Sequence, residues 1–191
     1  MILVHGRNAG PENILELIGP LSHPEFTYLA PAAPGGTWYP QSFLAETERN
    51  EPALSRALDR LHQVVGEVTR HIPRQRLILL GFSQGACLCL EYAVRHAEGG
   101  YGAVVGLSGG LIGPPGTVWT HPGSFHQRPV FLGCSDVDSH IPASRVQESA
   151  AVFEAMGARV ILRFYPGMGH LVNEDELHLI RGLMQTVAEG P

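Results

Sequence analysis

The chain has 191 residues, of which 44% are hydrophobic and 16% charged, enough apolar material for a core and too much for a disordered segment. Its 13 Lys and Arg against 18 Asp and Glu leave a formal charge of −5 with no basic run, which argues against nucleic acid or an anionic membrane surface as the main partner. No apolar stretch reaches the roughly eighteen residues of a membrane span. No basic segment leads into an apolar signal region either, so a cytoplasmic chain forming a single domain over 1–191 is expected.

Apolar runs of strand length alternate with longer amphipathic segments. In chain order the strands are Ile2–His5, Phe26–Ala32, Leu77–Gly81, Ala103–Leu107, Val130–Cys134 and Val160–Tyr165. Most are continuously apolar, as parallel strands covered on both faces are. Leu54, Ala57, Leu58, Leu61, Val64, Val65 and Val68 recur at helical spacing between the second and third strands. Gln84–His96 reads as a buried helix, and Pro142–Met156 as an amphipathic one closed by Gly157. Asn173 caps a last helix whose first turn carries Glu174, Asp175 and Glu176, where the helix dipole favours negative charge. Such alternation predicts an α/β fold of about six mostly parallel strands with helices on both faces. Two Gly/Pro-rich loops, Pro31–Pro40 and Gly109–Gln127, are too long for plain connectors and begin where a parallel sheet places its ligands.

Three cysteines (Cys87, Cys89 and Cys134) cannot make a disulfide framework and read as reduced, buried thiols. The ten histidines are scattered without metal-ligand spacing, so neither metal nor other cofactor is expected.

The pattern G-x-S-x-G occurs twice, around Ser83 and around Ser108. It carries chemistry only between a strand and a helix, where flanking glycines permit a tight turn that lifts the hydroxyl above the sheet. Ser83 has both neighbours. Ser108 is followed by Gly109, Gly110, Gly113, Pro114 and Pro115, which propagate no helix, so it reads as a turn in a pocket wall. A serine needs a base, and the base an acid. His170 stands in the turn after the last strand; His140 and His178 compete less well, one lying in the candidate acid loop and the other inside the last helix. Asp136 and Asp138 both follow the fifth strand, and pattern alone does not separate them. Backbone N–H groups of Gln84 and of Arg7, in the turn after the first strand, are the expected oxyanion donors. Trp38, Tyr39, Leu111 and Ile112 are the candidate pocket residues for an acyl or leaving group.

These residues carry a family resemblance. His5-Gly6, Pro34–Pro40 with Thr37-Trp38-Tyr39, the GFSQGA of Gly81–Ala86, Leu107–Gly109, the GCSDVDSHIP of Gly133–Pro142 and the YPGMGH of Tyr165–His170 stand in the order of the phospholipase/carboxylesterase branch of the α/β-hydrolases. That branch includes acyl-protein thioesterases and small bacterial carboxylesterases. The resemblance implies a minimal α/β-hydrolase fold, a Ser83–Asp138–His170 triad and a small ester or thioester substrate. It chooses Asp138 over Asp136 because Asp138–Pro142 matches the family's D-x-x-hydrophobic-P element. An acyltransferase or biosynthetic thioesterase with the same triad is the alternative, and a non-catalytic homologue the remote one. Relatives carry antiparallel strands before the His-Gly strand, which are expected to be missing here. Phe26–Ala32 would then be an uncharged edge, covered by a helix or loop or else paired in a symmetric homodimer. Arg7 departs from the apolar residue of many thioesterase relatives.

Overall fold

A computed structural model describes residues 1–190. Five strands form one sheet: β1 (Ile2–Val4), β2 (Ile78–Phe82), β3 (Ala103–Leu107), β4 (Pro129–Ser135) and β5 (Arg159–Tyr165). They lie in chain order, β1-β2-β3-β4-β5, and every ladder is parallel. Short helices α1 (Pro11–Leu15) and α2 (Ile18–Leu21) follow β1. The longer ones are α3 (Ala53–Thr69), α4 (Gln84–Arg95), α5 (Ala143–Ala155) and α6 (Glu174–Glu189).

Parallel crossovers are right-handed, so a sheet that advances in one direction sends its connecting helices to one face. That face holds α3, α4 and α5, packed on Ile2, Val4, Leu77, Leu79, Val104, Val130 and Leu132. The residues between them in the strands, Leu3, Ile78, Leu80, Val105 and Phe131, face the other way onto α1, α2 and α6. Both faces are thereby covered, which is why the strands read as unbroken apolar runs.

The expected sixth strand does not form. Phe26–Ala32 meets the first strand through Leu3 N–H to Leu29 O (2.8 Å) and Leu29 N–H to Met1 O (2.9 Å), a single parallel bridge between Ile2 and Leu29, and through the Met1 amino group, which donates to Thr27 O (2.7 Å). Pro31 and Pro34 have no N–H to extend a ladder, and His23–Phe26 closes a turn (Phe26 N–H to His23 O, 3.1 Å). The sheet therefore has five strands, with this segment running along its β1 side and Leu29 41% exposed. The sequence gives no sign of α1 and α2, each too short to show periodicity.

Candidate active site

Ser83 sits between β2 and α4 with φ 55° and ψ −122°, a backbone conformation that a side chain rarely adopts. The neighbouring glycines make that turn feasible. A Cβ on Gly81 would overlap the Gly85 carbonyl, and one on Gly85 would overlap the carbonyls of Val4 and His5 on the neighbouring strand. Ser83 N–H donates to Leu107 O (2.9 Å), tying the elbow to β3.

His170 arrives from the turn after β5, where Gly167 and Gly169 have φ of 65° and 78°. Its Nε2 lies 2.9 Å from Ser83 Oγ and its Nδ1 2.7 Å from Asp138 Oδ2. Burial by itself would raise the Asp138 carboxyl. The hydrogen bond from His170 and those from the N–H groups of His140 (2.9 Å) and Ile141 (3.1 Å) outweigh it and hold the group below the ordinary aspartate value. An ionised Asp138 only accepts, so Nδ1 carries the proton and the Nε2 lone pair faces the serine hydroxyl.

Asp136 does not reach His170. Its Oδ1 accepts from Gly167 N–H (2.8 Å), and Ser135 Oγ accepts from Gly169 N–H (3.0 Å). The two aspartates that pattern alone does not separate thus have different partners: Asp138 the imidazole, Asp136 the turn that carries it.

Arg7 and Gln84 flank Ser83, and their backbone N–H groups donate to no carbonyl among the described turn, loop and cap bonds. Their side chains hold the surrounding loop. The Arg7 guanidinium donates to three successive carbonyls, Tyr39 (3.0 Å), Pro40 (2.8 Å) and Gln41 (2.6 Å). The Gln84 amide accepts from Trp38 N–H (3.0 Å) and donates to Tyr39 O (2.8 Å). Trp38 Nε1 donates to His5 O (2.9 Å), and Ala33 N–H donates to His5 Nε2 (3.1 Å). His5 therefore keeps its proton on Nδ1, which faces Gly6 O at 2.8 Å. The sequence motifs assign only backbone roles to Arg7 and Gln84; no pattern in the chain reveals that their side chains clamp residues 38–41.

Two hollows, each of about 480 Å³, meet at Ser83 and His170. One is lined by Tyr39, Gln41, Ser42, Phe43, Cys87 and His140, the other by Ile14, Leu17, Phe82, Leu171 and Val172. Of the four expected pocket residues only Tyr39 lines either. Trp38 borders a separate hollow behind the loop with Arg56 and Arg60, while Leu111 and Ile112 are buried in the core. The buried Arg145 holds that second long loop down through the carbonyls of Leu111 (2.9 Å) and Gly113 (2.7 Å), and Glu91 accepts from Ile112 N–H (3.2 Å).

The three cysteines are free and buried, and burial pushes the thiols of Cys87 and Cys134 up to about 12, so neither is a nucleophile at neutral pH. Among the described residues no three His, Cys, Asp or Glu side chains cluster in a way that could hold a metal ion. Among the described residues no helix is long and apolar enough to cross a membrane.

A parallel sheet covered by helices, with a serine on a strand–helix elbow and an acid and histidine brought by later strand ends in the order Ser, Asp, His, defines the α/β-hydrolase class. Within that class the chain belongs to the phospholipase/carboxylesterase family, which it matches over residues 2–188. It is similar to a crystal structure of a phospholipase/carboxylesterase from Dyadobacter fermentans, with 39% identity, a TM-score of 0.91, and coverage of 97% of this chain and 88% of that one. Acyl-protein thioesterase 1 of Gibberella zeae is 28% identical over 121 residues, 62% of this chain and 51% of the relative. A probable carboxylesterase of Oryza sativa is 25% identical over 138 residues, 72% of this chain and 58% of the relative. The matches to these two curated relatives thus span a little over half their lengths.

Proposed function

We propose that the protein is a serine carboxylic-ester hydrolase acting on small esters or thioesters through Ser83, His170 and Asp138. His170 Nε2 takes the Ser83 proton as Oγ adds to the substrate carbonyl, and the carbonyl oxygen gains the negative charge. Backbone N–H groups of Arg7 and Gln84 bind that oxyanion, a contribution of roughly 3–4 kcal/mol per donor in related sites. The protonated imidazole then hands its proton to the departing alcohol or thiol, leaving an acyl group on Ser83. Water enters, gives a proton to His170 and adds to the acyl carbon; collapse returns the proton to Oγ and releases the acid. Asp138 stays ionised and holds the imidazole in the required tautomer throughout.

The observation that carries this reading is the unbroken line from Asp138 through His170 to Ser83, at 2.7 and 2.9 Å, beside two unspent N–H groups. Esters and thioesters pass through the same tetrahedral intermediate, so the triad does not choose between them. The thioesterase name of the fungal relative keeps that second reading in view. A panel of p-nitrophenyl esters and acyl-thioesters, run with and without alcohol acceptors, tests both and exposes any acyl transfer. Labelling by a fluorophosphonate, located on Ser83 by mass spectrometry, tests the nucleophile; absence of turnover on every substrate together with absence of labelling would overturn the reading.

A further inference from the structure

A third hollow, of about 500 Å³, lies on the outer side of residues 32–38, between that segment and the first two turns of α3. Neither Ser83 nor His170 lines it. Ala32, Pro34, Trp38, Ala53 and Ala57 make its walls apolar, and Arg56 and Arg60 are the only charged residues on it. Trp38 and Ala57 are buried there, whereas both arginines are exposed.

The placing of these two arginines is unfavourable unless something negative joins them. Positions 56 and 60 are one turn apart on the same helix face, where like charges repel. The start of a helix favours acidic side chains, yet the first turn of α3 carries none. Among the described ion pairs none includes Arg56 or Arg60, although the same helix pairs Arg70 with Glu67. The carboxylates closest in sequence are turned elsewhere. Glu51 accepts from the Ser55 hydroxyl (2.9 Å) and N–H (3.1 Å), and Asp59 lines a different hollow with His62 and Arg95.

We propose that this hollow binds a small organic anion, with an apolar body against Ala53, Ala57 and Trp38 and a carboxylate or phosphate held by Arg56 and Arg60. Guanidinium forks match the oxygens of either head group, and the apolar walls add contact that an arginine pair on an open surface lacks. The ligand would rest on the back of the loop that Gln84 clamps: Trp38 N–H donates to Gln84 Oε1 (3.0 Å), and Trp38 Nε1 donates to His5 O (2.9 Å). It would do so without entering the hollows at Ser83, and the site stands whether or not the protein cleaves esters.

The test uses the Ser83→Ala protein, so that no turnover intervenes, with hexyl phosphate, hexanoate, hexanol and inorganic phosphate as probes. Hexyl phosphate and hexanoate should both shift the methyl resonances of Ala53 and Ala57 and the indole N–H of Trp38, and leave the methyls of Ala103 and Ala150 in place. The tighter of the two names the head group. Hexanol lacks the charge and inorganic phosphate lacks the body, so each should bind at least about tenfold more weakly. Arg56→Gln with Arg60→Gln, added at these exposed helical positions, should keep the thermal midpoint and weaken hexyl phosphate at least about tenfold. Raising NaCl from about 50 to about 500 mM should weaken binding before that change and not after it. Absence of shifts at Ala53 and Ala57, or shifts that survive in the double glutamine variant, would overturn the site. Hexanol binding as tightly as hexyl phosphate would overturn the anionic class, and inorganic phosphate doing so would overturn the apolar body.

Discussion

The two G-x-S-x-G stretches run side by side. Gly81 pairs with Gly106 and Phe82 with Leu107 in the β2–β3 ladder, so Ser83 and Ser108 leave the sheet as neighbours. Both serines have positive φ, 55° and 48°, and both N–H groups donate to the next strand over: Ser83 to Leu107 O, Ser108 to Gly133 O (2.7 Å). Backbone strain therefore does not distinguish them. The path of the chain beyond each serine does. After Ser83 the chain enters α4, which leaves the hydroxyl at the mouth of two hollows with His170 beside it. After Ser108 it dives between helices: Gly109 lies against Ala86 and Gly110 against Arg145, leaving no room for a Cβ at either. Ser108 is fully buried and its Oγ has no partner. The two serines thus share a strained turn and differ in access: Ser83 Oγ faces His170 and open space, and Ser108 Oγ faces neither.

The largest expected effect exploits that contrast. Ser83→Ala should lower kcat for p-nitrophenyl acetate by roughly 10⁴–10⁶, whereas Ser108→Ala should stay within a few-fold. It removes a buried hydroxyl that has no oxygen or nitrogen partner, so its thermal midpoint should stay close to the parent's. A dead Ser108→Ala enzyme that still melts like the parent would break the comparison. Next comes the pair of aspartates. Asp138→Asn should cost about 10⁴ in kcat, because an amide can donate to Nδ1 and favour the wrong tautomer. Asp136→Asn keeps an oxygen for Gly167 N–H and should cost tenfold or less. Kinetics at one pH on the two variants decides it, and the reverse pattern would move the acid to Asp136.

The same contrast shows what sequence can and cannot reveal. The elbow, the histidine turn and the five strands that form are all legible, because each depends on neighbours in sequence: an apolar run, a Gly-x-Ser-x-Gly spacing, a Pro-Gly turn. Phe26–Ala32 reads as a strand on the same signals, yet its ladder stops at one bridge because prolines at 31 and 34 have no N–H to give. Leu111 and Ile112 read as pocket residues because a long Gly/Pro loop holds them. They are core because Arg145, whose place on an amphipathic helix gives no warning, reaches across to that loop's carbonyls. The Arg7 and Gln84 clamps are equally silent in sequence, since each bridges residues more than thirty positions apart. Contacts set by tertiary packing leave no local period to read.

Glycine substitutions sharpen the comparison in stability rather than rate. At Gly85 an added Cβ meets the carbonyls of Val4 and His5, backbone that cannot move without dislodging β1. At Gly109 it meets the Cβ of Ala86. Gly85→Ala should therefore fail to fold or lose more than about 4 kcal/mol, and Gly109→Ala should lose about 1–3 kcal/mol as overpacking does. Urea unfolding of both measures the difference. Equal losses would mean that the Ser108 turn is as tightly held as the elbow.

The smallest effect lies behind the second motif. Gly133, whose carbonyl holds Ser108 N–H, has no side chain, and the Glu176 carboxyl occupies the space where a Cβ would be. Glu176 is fully buried; its Oε2 accepts from Asn173 N–H (2.9 Å), while Oε1 has no partner. Burial raises this carboxyl from 4.5 to about 7, against a smaller opposing pull from the Asn173 hydrogen bond. The folded chain thus holds the proton more tightly than the unfolded one. Its contribution is complete below about pH 4.5, drains away as pH rises towards 7, and stays lost above that. Glu176→Gln cannot ionise and has no such slope, so its melting temperature relative to the parent should climb between pH 5 and 8. Between pH 5 and 8 a shift of that size takes about 2–3 kcal/mol from the parent, which corresponds to roughly 5–10 °C for a chain of this size. Paired melts across that range subtract every other titrating group. A flat difference would show that the carboxyl ionises in the folded chain as easily as in the unfolded one, and that solvent reaches the ground beneath Ser108 after all.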